Sequence, residues 1–231
     1  MNAQLNDVGP IKAVIFDMDG LLLDTEGIYT EVTQIIADRY GRTFDWTIKQ
    51  NIIGRGAADL ARYVVQALDL PITPEEFLVI REPLMRERFP RALAMPGAQE
   101  LVQHLKANNV PIAVGTSSSR QSFAQKTTLH GDWFALFDTI VTADDPEVGA
   151  AKPAPDIFLT AARRLGVAPE DCLVFEDSPF GVTAAKAAGM TAIAIPDPAM
   201  ADAKYAHADA ILRSLKGFQP AACGLPLLQW S

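Results

Sequence analysis

Two aspartates one residue apart, Asp17 and Asp19, follow the apolar run Val14-Ile15-Phe16 and precede Gly20. Between Ile11 and Phe16 only Lys12 is polar, and Gly9-Pro10 bounds the run before it. That pattern predicts a strand buried on both faces, as in a parallel sheet. Acids just beyond the C-terminal end of such a strand stand where open α/β sheets bind ligands. An aspartate there can be a nucleophile, a metal ligand, or both. Gly20 lets the chain turn sharply and leaves room beside them. Asp and Gly also end many strands with no chemistry at all. The pair therefore needs partners elsewhere in the chain: further metal ligands, and cations or donors for a phosphate.

Three later segments supply them. Ile112-Ala113-Val114-Gly115 runs into Thr116-Ser117-Ser118-Ser119, where hydroxyls and backbone N–H groups at a helix start can hold phosphate oxygens. Thr116 and Ser117 lie directly at the strand end, whereas Ser118 and Ser119 read at least equally well as an N-cap run. Lys152, in a Gly-, Ala- and Pro-rich loop before a helix, can neutralise a phosphate and the aspartate beside it. Leu173-Val174-Phe175 leads into Glu176-Asp177, a second acidic pair at the end of a second buried strand. Like charges brought together need a cation, and hard oxygen ligands suit Mg²⁺.

The elements that must position these residues follow from periodicity. Tyr29, Val32, Ile35, Ile36 and Tyr40 fall at helical spacing, and so do Ala57, Leu60, Ala61, Val64, Val65 and Leu68. Thr73-Pro74-Glu75-Glu76 opens a third helix that runs to Phe89, with a cap, a first-turn proline and acids at the positive dipole end. No strand interrupts residues 27–90, which read as a helical insertion. From residue 98 onward, helices and strands alternate. Helices are expected over 98–106, 120–129, 155–165 and 180–188, and strands over 111–115, 139–142, 172–175, 191–195 and 210–212. Alternation of this kind implies right-handed crossovers and a doubly wound parallel sheet. The expected division is an α/β core of residues 1–24 and 92–231 around an insertion of residues 25–91, with residues 1–9 a loose tail.

Bulk properties narrow the function. A net charge of −8 in 231 residues argues against nucleic acid or an anionic membrane as the main partner. Hydrophobic residues at 49% and charged residues at 21% are the balance of a soluble globular chain. Cys172 and Cys223 give neither a disulfide framework nor a metal motif. The N-terminal residues lack the basic start and apolar stretch of a secretion signal, and no apolar run reaches the roughly 20 residues that span a bilayer. A cytoplasmic protein, monomeric or weakly dimeric, is expected.

The four segments, in order Asp17-Met18-Asp19-Gly20, Thr116-Ser117, Lys152-Pro153 and Glu176-Asp177, resemble the motifs of the haloacid dehalogenase superfamily. The insertion after the first motif resembles that family's small α-helical cap on a Rossmann-like core. The resemblance implies a Mg²⁺-dependent phosphatase acting through an aspartyl-phosphate. Asp17 would be the nucleophile, and Asp19 the acid and then the base. Asp17, the Asp19 carbonyl, Asp177 and Glu176 (directly or through water) would hold the metal, with Thr116, Ser117 and Lys152 on the phosphoryl group. Asp24-Thr25-Glu26 and Phe175-Glu176-Asp177-Ser178-Pro179 are similar to the beta-phosphoglucomutase-like group. Asp144-Asp145-Pro146-Glu147-Val148 and Gly217-Phe218-Gln219-Pro220 resemble its pseudouridine-5′-phosphatase branch. The implied substrate is a small sugar phosphate or a nucleoside monophosphate such as pseudouridine 5′-phosphate. A phosphosugar mutase using the same aspartates is the alternative enzyme, and a phosphoacceptor signalling domain the alternative of another class. Arg55, in Ile53-Gly54-Arg55-Gly56, and Glu26, at the hinge of the insertion, are candidate substrate contacts; a solvated cation and a hinge brace are their equal alternatives. His104, His130 and His207 stand outside every motif and read as structural or surface residues.

Overall fold

The first strand of the sheet carries its burial pattern in the sequence. In β1 (Ala13–Phe16), Val14 and Phe16 join one apolar cluster and Ala13 and Ile15 another, and all four are fully buried. This is the period of two expected when both faces are covered. A slip of one residue would exchange the faces. Since burying each large apolar side chain contributes roughly 1.5–3 kcal/mol, the register is firmly held.

The computed structural model describes residues 9–230, so the expected tail over residues 1–8 lies outside the described residues. After β1 the chain forms β2 (Leu23–Asp24) and then four helices: α1 (Glu26–Asp38), α2 (Trp46–Lys49), α3 (Ala57–Ala67) and α4 (Pro74–Arg88). It returns through β3 (Leu93–Ala94) into α5 (Ala98–Ala107), β4 (Ile112–Gly115), α6 (Arg120–Lys126), α7 (Gly131–Phe134) and β5 (Thr139–Val141). Then come α8 (Asp156–Leu165), β6 (Cys172–Glu176), α9 (Pro179–Ala187), β7 (Thr191–Ala194) and β8 (Ala210–Ile211). Six strands pair in parallel in the order β5-β4-β1-β6-β7-β8. Helices α5 and α7 cover one face with Leu101, Leu105, Trp133 and Phe134, and α8 and α9 the other with Ile157, Phe158, Ala161 and Val182. This is the doubly wound sheet expected, with a helical insertion after its first strand.

Helices α1, α3 and α4 bury their own cluster, in which Val32, Ile36, Leu60, Val64, Phe77, Met85 and Phe89 meet. The start of α4 is a complete capping box: Thr73 Oγ1 accepts from the Glu76 N–H at 3.1 Å and Glu76 Oε2 from the Thr73 N–H at 2.7 Å. Beyond α9, Gly189 adopts φ +77°, the left-handed conformation that a helix end demands. Helix α6 is shorter than the expected 120–129. Thr127 Oγ1 donates to the Phe123 carbonyl and Thr128 Oγ1 to that of Gln125, and such hydroxyls compete for the backbone where the helix ends.

The short helices α2 and α7 and the two-residue strands β2 and β3 escape the sequence reading, being too short for periodicity. Strands β2 and β3 pair antiparallel, Leu23 with Ala94 and Asp24 with Leu93, so the chain enters and leaves the helical insertion side by side. Both cysteines are buried free thiols, and burial pushes Cys172 up to about 11. No helix among the described residues is long and apolar enough to cross a membrane.

Candidate active site

Strand β1 lies between β4 and β6, with Phe16 opposite both Val114 and Phe175. The residues just past these three strand ends therefore share one small volume. Lys152, from the loop before α8, crosses to it and uses all three of its protons there. Its Nζ donates to Asp17 Oδ1 at 2.6 Å, to Glu176 Oε1 at 2.5 Å and to the Gly115 carbonyl at 3.0 Å. One ammonium thus ties the ends of β1, β4 and β6, and the ring of Phe158 lies 4.7 Å below it. Its buried position lowers its pKa, but the two carboxylates outweigh this and hold it firmly charged.

Asp17, Glu176 and Asp177 each place a carboxylate oxygen within 4.8 Å of the others, and all three are buried. One lysine against three carboxylates leaves an excess of negative charge. Burial, with Glu176 and Asp19 nearby, pushes Asp17 up to about 8 against the pull of Lys152. Burial, with Glu176, Asp17 and Glu26 nearby, drives Asp177 well above the ordinary carboxylate range. A hard divalent cation answers this deficit, so the donor set fits one. Glu176 is already engaged on both oxygens, by Lys152 and by the Ser178 N–H and Oγ at 2.9 Å. Asp17 and Asp177 keep the freer oxygens. The Asp19 carboxylate is not in this cluster, so only its backbone carbonyl is left as a candidate ligand.

Gly20 makes room for the cluster. It sits at φ +76°, and a Cβ there would lie 2.3 Å from Asp177 Oδ2. Gly20→Ala is expected to weaken divalent-cation affinity by about tenfold or more through displacement of Asp177. Calorimetric titration of Mg²⁺ into the variant measures this, and an unchanged affinity would refute it.

The Asp19 carboxylate is instead enclosed by donors. Lys126 Nζ lies 2.5 Å from Oδ1, Thr25 Oγ1 donates to the same oxygen at 2.7 Å, and Tyr29 Oη reaches it at 3.3 Å. Ser118 Oγ donates to Oδ2 at 2.9 Å and Thr116 Oγ1 at 3.4 Å. Burial raises this carboxyl's pKa, but Lys126 and the hydroxyls more than offset it, so Asp19 is held ionised. Lys126 also donates to Tyr29 Oη and Ser118 Oγ, each at 2.6 Å. Sequence reasoning missed Lys126, Tyr29 and Thr25 as site residues and left Ser118 as a possible cap. Ser119 is the cap of α6, accepting from the Ser122 N–H, which frees Ser118 for Asp19. The run of three serines is the one available signal; Lys126 lies outside every motif, and Tyr29 reads only as one residue of a helix face.

A cavity of about 400 Å³ opens from Asp17, Asp19, Asp177 and Lys152 toward α3 and α4. Ser117 borders it, half-buried, while Thr116 is fully buried with its hydroxyl toward Asp19. Arg55 also borders it. Its guanidinium packs 5.2 Å from the Tyr63 ring and 5.4 Å from that of Phe180, and its Nε donates to the Asn51 carbonyl at 2.6 Å. Arg55 is thus a clasp between the insertion and α9 as well as a cavity wall. Glu26 faces Lys49 at 3.7 Å, and burial raises its pKa against that lysine's pull. The three histidines lie away from the cavity; His104, His130 and His207 bond to Pro226, Ala92 and Thr183 respectively.

Known proteins resemble the chain along most of its length. The family model described as haloacid dehalogenase-like hydrolase matches residues 11–189. The chain is 46% identical to (DL)-glycerol-3-phosphatase 2 of Arabidopsis thaliana over 94% of its length and 93% of the relative's. It is 47% identical to a Drosophila melanogaster protein named "Probable pseudouridine-5'-phosphatase", over 92% and 93% of the two chains. Among solved structures, a haloacid dehalogenase family hydrolase of Deinococcus radiodurans R1 with bound phosphate and sodium superimposes with a TM-score of 0.76. The two are 32% identical over 95% of this chain and 100% of that one.

Proposed function

This chain belongs to the haloacid dehalogenase-like hydrolases and is a phosphatase, and on that premise we propose that Asp17 attacks the phosphorus of a small phosphomonoester and carries the phosphoryl group as an aspartyl-phosphate. The observation that carries this reading is Lys152, bonded at once to Asp17 and Glu176 beside a second open carboxylate, Asp177. Lys152 holds Asp17 in place and meets the phosphoryl oxygens. Ser117 and the N–H groups that follow β4 bind the same oxygens from the opposite side. Asp19, ionised in the free site, takes up a proton when the anionic substrate enters, gives it to the leaving oxygen and then takes one from the attacking water. Its four hydroxyl neighbours and Lys126 fix its orientation for both transfers.

The residues that would hold Mg²⁺ are Asp17 and Asp177 with the Asp19 carbonyl, while Glu176 acts from behind through Lys152. A bound Mg²⁺ supplies charge neutralisation for the phosphoryl group and its carboxylate acceptor. The helices of residues 25–91 serve as a cap that closes the cavity against water. Thr25 and Tyr29 give the cap a direct hold on Asp19.

The substrate is the phosphomonoester of a small polyol, sugar or nucleoside. The experiment is phosphate release with Mg²⁺ from glycerol 3-phosphate, pseudouridine 5′-phosphate and a hexose phosphate, each repeated with excess EDTA. Release that EDTA abolishes supports the reading. Conversion of the hexose phosphate to an isomer without free phosphate would replace it with a mutase, and turnover unaffected by EDTA would remove the metal from it.

A further inference from the structure

The cap side of the cavity holds a cation with no hydrogen bond or ion pair among the described residues. Arg81, on α4, lines the cavity, and its Nε is shut off from solvent with no hydrogen-bond partner. Among the described residues none forms a hydrogen bond or ion pair with any nitrogen of this guanidinium. The Tyr29 ring lies 5.1 Å from the guanidinium carbon, and Asp19, Glu82 and Glu26 act on the charge from farther away. The neighbouring Glu82 faces Arg86 instead. The same cavity is lined by the apolar Ile52, Leu60, Met85 and Phe89 and by the acids Glu26 and Glu82.

An arginine does not shed its proton, and a charge left unpaired in a desolvated wall is costly. Burial pulls its pKa down against the opposing pull of Tyr29, Asp19, Glu82 and Glu26, none of which bonds to it directly. Every other buried cation of the site is fully paired: Lys152 has three acceptors, and Lys126 has Asp19, Tyr29 and Ser118. Tyr29, which backs Arg81, reaches Asp19 through its hydroxyl. Arg81 therefore stands one aromatic ring away from the carboxyl that serves the leaving oxygen. That is the place of the alcohol half of a phosphomonoester, not of its phosphoryl half. With one face on Tyr29, the guanidinium offers its edge, a planar fork that suits paired oxygen acceptors.

We propose that Arg81 recognises the alcohol half of the substrate by paired hydrogen bonds, and that this half is therefore oxygen-rich, a polyol, a sugar or a hydroxy acid, and not an aryl or alkyl group. This rests on the phosphatase reading of the site. The test is calorimetric binding of glycerol 3-phosphate and of phenyl phosphate to the Asp17→Asn protein, with and without Arg81→Met or Arg81→Lys. Arg81→Met is expected to weaken glycerol 3-phosphate at least tenfold more than phenyl phosphate, with Arg81→Lys between it and the parent. Ligand-free Arg81→Met should melt no lower than the parent, because no hydrogen bond or ion pair is lost; an arginine kept for structure would give the reverse. Equal weakening of both ligands, or no preference of the parent for glycerol 3-phosphate, overturns the proposal. Turnover of both compounds by the unmutated protein is followed alongside. No phosphate release from either, with the Arg81-dependent preference intact, counts against the phosphatase reading alone.

Discussion

Asp17→Asn is expected to lower turnover by on the order of 10⁴-fold or more, since an amide cannot serve as the attacking oxygen. The fold should persist, because the amide fills the same space and can still face Lys152. The variant also exposes the charge load of the site. In the metal-free parent Asp17 titrates at about 8, against 3.8 for an unperturbed aspartate. The folded chain thus keeps a proton that the unfolded chain gives up, and stability falls as pH rises through that interval. Asparagine has no such proton. In EDTA, the melting temperature of Asp17→Asn should decline less steeply between pH 5 and 8 than that of the parent. Adding Mg²⁺ should raise the parent more than the variant. Parallel melting curves would show that Asp17 does not carry this load, and residual turnover near the parent's would remove it as nucleophile.

The second large effect belongs to Lys152. Among the described residues Lys152 alone is a cation bonded to Asp17 and Glu176, so Lys152→Met leaves two buried carboxylates facing each other. Breaking a buried pair from one side costs roughly 3–5 kcal/mol, more than the loss of any exposed ion pair in this molecule. The cost should shrink at low pH, where the abandoned carboxylates take up protons, and this sign separates charge from packing. Turnover should fall by about 10³-fold through lost stabilisation of the phosphoryl oxygens. Urea unfolding at pH 5 and pH 7.5 measures the first effect, and phosphate release the second. An equal destabilisation at both pH values would mean that the methionine merely packs badly.

The frame of the site was legible because strand ends carry their own signature. Apolar runs stop at Asp17, Thr116 and Glu176, and a buried parallel sheet allows only a few ways to bring such ends together. Lys152 was legible only by company, since a loop lysine has no periodicity of its own. The enclosure of Asp19 was not legible. Lys126 lies 107 positions from Asp19 and Tyr29 lies 10 positions from it on a different layer of the fold. Their meeting is a product of packing between the insertion and the core, which one-dimensional patterns do not record. Arg81 was hidden for the same reason: on the sequence it is one charge among many on α4, and only its isolation in space distinguishes it. Strands β2 and β3 escaped because two residues show no alternation.

That short ribbon has a consequence for how the molecule can be rebuilt. Asp24 and Leu93 are direct cross-strand neighbours, although 68 positions separate them, from 25 to 92. A two-residue reverse turn could bridge them as the tip of a hairpin. Excising the four helices there would leave the sheet's connectivity intact, and helices from another source could be grafted at the same two points. Selectivity for the alcohol would travel with the graft, and the bond-breaking apparatus would stay behind.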